Sequence, residues 1–174
     1  MKLSKYPLSL LFAVIAPLLA HAGLTPQDAY ALTKAEVAKA QKAPRFPAKD
    51  SCTFVVCIDN GDGTPPIAIL DSPILVNPTS KTDLDHRDAR TDVAFRGHAE
   101  GTNAGKRKLV GMLSTPLGTV SKEANAATAK IAVNLNMYVS LEDVTLVAAG
   151  SATSTNESTK KQQESHFYVF AYSN

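Results

Sequence analysis

The sequence predicts an α+β fold in which an N-terminal helix packs on a mostly antiparallel sheet of about six or seven strands. A stretch rich in helix-forming residues begins near residue 25 and stops at two prolines. Short β-branched and aromatic runs separated by turn residues follow it. Residues 130–141 alternate apolar and polar side chains, which is typical of a strand with one buried face. A small open β-barrel with a helix is the alternative that these patterns also fit.

The predicted helix has a clear start and a clear end. The Thr25 hydroxyl can cap the first turn, Pro26 suits the first helical position, and Asp28 favours the positive end of the helix. Pro44 and Pro47 end the helix near residue 43, because proline lacks the amide donor that a helix needs. The apolar face between them is thin and rich in alanine, so we expect the helix to pack against a sheet.

The remaining residues indicate strands separated by turns. Strands are predicted at residues 53–58, 93–98, 109–113, 130–141, 144–149 and 166–172, and residues 67–70 and 74–76 are short apolar runs around Pro73. We expect a turn at residues 142–143 to make 144–149 the hairpin partner of 130–141. Aromatic residues on both sides of the last strand predict a strand that is central or covered on both faces. Residues 150–165 are polar and predict a mobile loop.

Residues 1–22 have the organisation of a cleavable signal peptide. Two lysines precede an apolar run over residues 8–20, and Ala20-His21-Ala22 then offers the small side chains that signal peptidase reads. The run is interrupted by Pro17 and is shorter than the ~20 apolar residues of a spanning helix. We therefore expect one secreted α+β domain, residues 23–174, which lies in the periplasm or outside the cell. After signal cleavage we expect no integral membrane segment.

The charge balance argues against a nucleic-acid partner. The whole chain carries 18 basic and 16 acidic residues, and two of the basic residues are the signal-peptide lysines. The secreted domain therefore has 16 of each sign and a formal net charge of zero. Nucleic-acid binding needs a broad basic footprint, which a neutral domain lacks. Motifs such as Gly-x-Ser-x-Gly and His-Glu-x-x-His are absent from the sequence, and we expect no cofactor and no metal.

The two cysteines support two opposed expectations. Export favours oxidation, and on that ground we expect a disulfide between Cys52 and Cys57. The residues between them, however, have the β-branched and aromatic character of a strand. Five extended steps span ~16–17 Å, whereas a disulfide needs Cα atoms within ~7 Å. The bridge forms only if the segment curls, and otherwise the thiols stay free or pair elsewhere.

One polar segment concentrates the residues that could carry chemistry. Its alternating charges are typical of a solvated loop with weak ion pairs, and they also suit a binding surface. Acid–base or metal chemistry would require a histidine that converges with carboxylates. The candidate binding residues are Asp83, Asp85, His86, Arg87, Asp88, Arg90, Asp92, His98 and Glu100.

Three functions fit these features. The first is a non-catalytic periplasmic domain that binds another protein, such as an inhibitor or immunity protein, and its small size and missing catalytic motifs favour it. The second is a small-ligand carrier or enzyme with a pocket between helix and sheet, lined by residues such as Tyr138 and His98. The third is a surface subunit that assembles through its C-terminal strand.

Overall fold

The structure is a computed structural model that describes residues 23–44, 46, 48–76, 83–101, 106–116, 130–140, 142–155 and 159–174. The predicted signal peptide lies outside the described residues. The elements are α1 (Pro26–Ala40), β1 (Ser51–Asp59), β2 (Ile67–Leu70), β3 (Ile74–Leu75), β4 (Leu84–Arg87), β5 (Ala94–Gly101), β6 (Arg107–Pro116), β7 (Lys130–Val139), β8 (Thr145–Thr155) and β9 (Gln162–Ser173). The α+β class is confirmed.

The strands form two antiparallel sheets, whereas the sequence predicted one sheet with fewer strands. Sheet A has the order β2-β1-β9-β8, and β3 also pairs with β1. Sheet B is a meander with the order β4-β5-β6-β7. The chain passes from sheet A to sheet B after β3 and returns after β7. Alternation along a strand shows that one face is buried, but it does not show which sheet the strand joins.

Helix α1 begins as predicted and packs on sheet A. The Thr25 hydroxyl accepts a hydrogen bond from the Asp28 amide at 3.2 Å. The helix buries Ala29, Thr33 and Val37, which are spaced four residues apart and so lie on one face. These residues contact the apolar side chains of β1 and β9. In the described part of the chain, no helix combines the length and the apolar character needed to cross a bilayer.

The core has two layers, one on each side of sheet A. Phe54 of β1 meets Phe95 of β5 across the two sheets, with ring centroids 5.9 Å apart. On the other side of sheet A, Phe170 and Tyr172 of β9 pack beneath the helix. β9 is therefore covered on both faces, as its aromatic residues predicted. The same position between two layers explains why β1 is buried along almost its whole length.

Two predictions about the C-terminal half are wrong. β8 pairs with β9 in sheet A, not with β7 in sheet B. Much of the predicted loop 150–165 is strand, since the β8–β9 ladder extends to the pair Thr155 and Gln162. Ser and Thr are compatible with strands, and this end of the hairpin extends away from the apolar core. A polar composition therefore did not distinguish an exposed ladder from a loop.

The predicted disulfide is also wrong. Cys52 and Cys57 are both buried and unpaired. They lie on one extended strand at an odd spacing, so their side chains point to opposite faces of sheet A. Cys52 belongs to the layer between the sheets, and Cys57 to the layer beneath the helix. The strand-forming residues between the two cysteines keep the thiols apart. This geometry overrides the expectation that export favours a disulfide.

Candidate functional site

A buried carboxylate links the edges of the two sheets. Asp71 follows β2 at the edge of sheet A, and its side chain is fully buried. The Nε2 atom of His86, on the edge strand β4 of sheet B, lies 2.7 Å from the Asp71 Oδ1 atom. The Thr91 hydroxyl donates to the other carboxylate oxygen at 3.2 Å. These contacts hold the two edge strands together where the apolar layer ends.

A second carboxylate completes this link. Asp88, directly after β4, accepts hydrogen bonds from the amide and the hydroxyl of Ser72 at 2.8 and 2.7 Å. It also accepts a hydrogen bond from the Arg90 amide at 2.7 Å, and the Arg90 guanidinium donates to the Leu70 carbonyl at 2.9 Å. We call this group the polar clasp. Its members are Asp71, Ser72, His86, Asp88, Arg90 and Thr91.

The two carboxyl groups of the clasp have pKa values shifted in opposite directions. Burial raises the pKa of Asp71 to about 6, although the hydrogen bond from His86 acts against this shift. Burial also opposes the charge of Asp88, but the hydrogen bonds from Ser72 and Arg90 outweigh it and hold the pKa of Asp88 well below its ordinary value. Asp88 is therefore ionised at neutral pH, while Asp71 takes up a proton in mildly acidic solution.

The clasp does not have the geometry of a nucleophile and its base. The Ser72 hydroxyl donates to Asp88, so its proton is directed away from His86. A serine nucleophile would need a hydrogen bond to the base that removes its proton. Within the described residues, no group of three or more His, Cys, Asp or Glu side chains is placed to hold a metal ion. The clasp binds the two sheets to each other.

Two cavities in the described part of the chain are formed by residues outside the clasp. One, of about 650 Å³, lies where β7 turns into β8 and is lined by Tyr138, Val139, Glu142 and Asp143 among others. The second, of about 520 Å³, lies between the start of α1 and the residues that follow β1. A cavity between helix and sheet therefore exists, but neither His98 nor Tyr138 lines it. The pocket that the carrier hypothesis predicted is not built from the predicted residues.

In the described part of the chain, the face of sheet B that points away from sheet A carries exposed and half-buried side chains. Helix α1 packs on sheet A, and side chains on this second face alternate with the core residues of each strand. Tyr138 of β7 is 60% exposed and Met112 of β6 is 43% exposed. We call this surface the outer face of sheet B. It comprises Asp85, Arg87, Arg96, His98, Glu100, Lys108, Val110, Met112, Asn134, Asn136 and Tyr138.

Charged residues lie near the two large exposed apolar side chains of this face, Tyr138 and Met112. The Arg96 guanidinium lies 3.1 Å from the Asp85 carboxylate, and both side chains are highly exposed. Glu100 lies between His98, at 3.4 Å, and Lys108, at 3.8 Å. Exposed pairs of this kind contribute only ~0–1 kcal/mol to stability. Their side chains are therefore free to exchange these partners for others.

Comparisons with protein-family models, with curated proteins and with solved structures found no match. The geometry of this chain is therefore the basis for a functional conclusion. The structure places seven of the nine candidate residues in two groups, the clasp and the outer face of sheet B. His86, Asp88 and Arg90 belong to the clasp. Outside the clasp, Asp85, Arg87, His98 and Glu100 lie on the outer face of sheet B, Asp92 pairs with Arg87 at 3.1 Å, and Asp83 is exposed before β4.

Several residues of these two groups were not among the sequence candidates. Asp71, Ser72 and Thr91 complete the clasp, and Met112 lies at the centre of the outer face. The one available signal for Asp71 was a carboxylate directly after an apolar strand. Its partner His86 is 15 residues away in another sheet, and the sequence contains no indication of that pairing.

Proposed function

We propose that this protein is a non-catalytic exported domain that binds another protein through the outer face of sheet B, in the manner of an inhibitor or immunity protein. The observation that carries the proposal is an aromatic side chain, Tyr138, that is 60% exposed on the outer face of sheet B, which also carries exposed Met112. Aromatic residues and methionine are enriched at the centres of protein interfaces. A side chain of this kind that becomes buried and well packed against a partner accounts for much of the binding energy.

The arrangement around the two anchors supports the same function. Tyr138 stands directly opposite Lys108, and Met112 stands opposite Arg96 on the other side of β6. Both anchors therefore lie beside charged side chains that can form a polar rim. The rim carries both signs of charge, so the partner that fits it presents an apolar centre surrounded by acidic and basic groups.

The anchors provide a direct test. The tagged secreted domain is used to capture partners from the periplasm of its source, and the affinity of the purified partner is then measured. Replacing Tyr138 and Met112 by alanine is expected to weaken binding at least about tenfold, because truncation of an interface anchor costs more than ~1.4 kcal/mol. Leu75→Ala is the matched control, since Leu75 is an apolar residue 68% exposed on β3 of sheet A.

The outcomes of this test distinguish binding through the outer face of sheet B from binding through another surface. Binding that is lost in the Tyr138 and Met112 variant and kept in Leu75→Ala supports the proposal. A stoichiometric partner that binds the Tyr138 and Met112 variant as tightly as the parent protein would contradict it. Failure to capture any partner at all counts against protein binding as the function.

Export is part of this proposal and has its own test. The signal-like organisation of residues 1–22 supports cleavage after Ala22. N-terminal sequencing of the protein from its native host is expected to begin at Gly23, with the product in the periplasm or the medium. A product that begins at Met1 and stays inside the cell would contradict export, whatever the outer face of sheet B binds.

A further inference from the structure

The two sides of the sandwich have different edge strands. On one side, the edge strands β2 and β4 have four residues each, and the polar clasp joins them. On the other side, the edge strands β7 and β8 have 10 and 11 residues. A long edge strand presents a row of backbone donors and acceptors that another strand can pair with. The side formed by β7 and β8 is therefore the side that is suited to strand addition.

Strand β8 lacks the usual protection of an edge. Its residues Thr145–Thr155 include no charged side chain and no proline. Within the described residues it pairs with β9 alone, so its second edge has no partner there. Natural edge strands are commonly blunted by lysine, by proline or by shortness. β8 has none of these features. It does have a bulge between Leu146 and Ala148, which can also protect an edge, but the rest of the strand is regular.

Apolar side chains lie beside this edge. Leu146 of β8 is 41% exposed, and Tyr30 of the helix is 39% exposed. Together with Pro26 and Phe170 they line a shallow cavity of about 290 Å³. The Tyr30 and Phe170 rings meet edge to face at 6.2 Å. A strand added along β8 would cover this apolar surface as well as the backbone edge.

We propose that β8 pairs antiparallel with β8 of a second copy of this chain, so that two sheets A join into one across a two-fold axis. The charge pattern favours a second copy as the occupant. Like charges directly opposite each other destabilise a strand pair, and a strand without charges avoids this conflict with itself in every register. The secreted domain also has a formal net charge of zero, so two copies do not repel each other.

Lysines placed on the edge test this dimer. The mass of the exported protein is measured by sedimentation and light scattering over a range of concentrations, and the parent protein is expected at twice the monomer mass. Ala149→Lys with Ser151→Lys puts two charges on exposed positions of β8, and this variant is expected to be monomeric. Ala132→Lys with Asn134→Lys places the same charges on exposed positions of β7 and is expected to stay dimeric.

Each mass measurement either supports or overturns the proposed β8 dimer. Circular dichroism and thermal unfolding establish that both variants fold, so that a loss of mass reports dissociation. A parent protein that is monomeric at all concentrations overturns the proposal, as does a β8 variant that remains dimeric. Dissociation in the β7 variant alone assigns the contact to the other edge and overturns pairing through β8. The β8 variant changes no residue of the outer face of sheet B, so its result does not depend on the proposed function.

Discussion

His86 and Asp71 join the two sheets through one hydrogen bond, with the His86 Nε2 atom 2.7 Å from the Asp71 Oδ1 atom. The bond connects the edge strand of sheet B to the residue that follows the edge strand of sheet A. Asp71 is fully buried, so its carboxylate depends on protein partners to replace lost water. The side of the sandwich with the shortest edge strands is thus closed by polar contacts.

Removing the histidine should destabilise the domain. In His86→Ala, Thr91 is the side chain that still donates to the buried Asp71 carboxylate. An unsatisfied buried group costs ~1–3 kcal/mol, and we expect the free energy of unfolding in urea to fall by about that amount. The control is Arg96→Ala, which breaks an exposed pair with Asp85 and should cost less than ~1 kcal/mol. Equal losses in the two variants would show that the clasp does not stabilise the fold.

The raised pKa of Asp71 predicts a specific dependence of stability on pH. The native carboxyl has a pKa of about 6, above its value in the unfolded chain, so the native state binds the proton more tightly. The stability from this group is therefore fully present below about pH 4 and is lost as pH rises through 6. Asp71→Asn should flatten the fall in the urea midpoint between these values. An identical pH profile in the parent protein and Asp71→Asn would contradict the assignment.

The low pKa of Asp88 predicts that stability depends on pH with the opposite slope in acidic solution. Its native pKa is held well below the unfolded value, so its stabilising contribution is present above about pH 4 and is lost as pH falls. We expect Asp88→Asn to lower stability at pH 7 and to reduce the loss that the parent protein shows in acid. Urea titrations from neutral to acidic pH measure both effects. The control is Asp85→Asn, which changes an exposed carboxylate on β4, the strand that ends just before Asp88. A similar change of slope in the two variants would rule out the clasp as its cause.

The two cysteines should be inert thiols in the folded protein. Burial raises the pKa of Cys52 to about 11 and also raises the pKa of Cys57. Because the thiolate is the reactive form, both groups should resist Ellman's reagent under native conditions. Two thiols should react after unfolding without a reductant, and the intact mass should correspond to the reduced chain. A mass lower by the two hydrogens of a disulfide, with no reactive thiol on unfolding, would contradict the structure.

Local patterns predicted elements better than they predicted partners. Thr25 and Pro26 predicted the start of α1, and the alternation from Val133 to Val139 matches the buried and exposed sides of β7. These features depend on neighbours in sequence. The pairing of β8 with β9 and the contact of Asp71 with His86 depend on how separate segments meet. Such contacts are set by tertiary packing, on which the sequence of either partner alone carries little information.

The centre of sheet B should be intolerant of a side chain at Gly111. Its φ is +157°, and a Cβ atom there would lie 2.3 Å from the Arg96 carbonyl oxygen and 2.7 Å from the Gly97 Cα atom. We expect Gly111→Ala to lower the free energy of unfolding by about 3 kcal/mol, because the backbones of β5 and β6 would have to separate. Gly63→Ala is the control, since its φ is +85° and, apart from its chain neighbours, no described residue has an atom within 4 Å of a Cβ there.

Comparing Gly111→Ala with Gly63→Ala separates the cost of steric conflict from the cost of backbone strain. Gly63→Ala incurs the cost of a left-handed backbone alone, about 1 kcal/mol, while Gly111→Ala also forces two strands apart. β5 and β6 carry Arg96, His98 and Met112, so a shift between them would also disturb the outer face of sheet B. Partner binding by Gly111→Ala should therefore weaken even at temperatures where the variant is folded. Equal stability losses in the two glycine variants would show that the close approach of β5 and β6 is not a constraint.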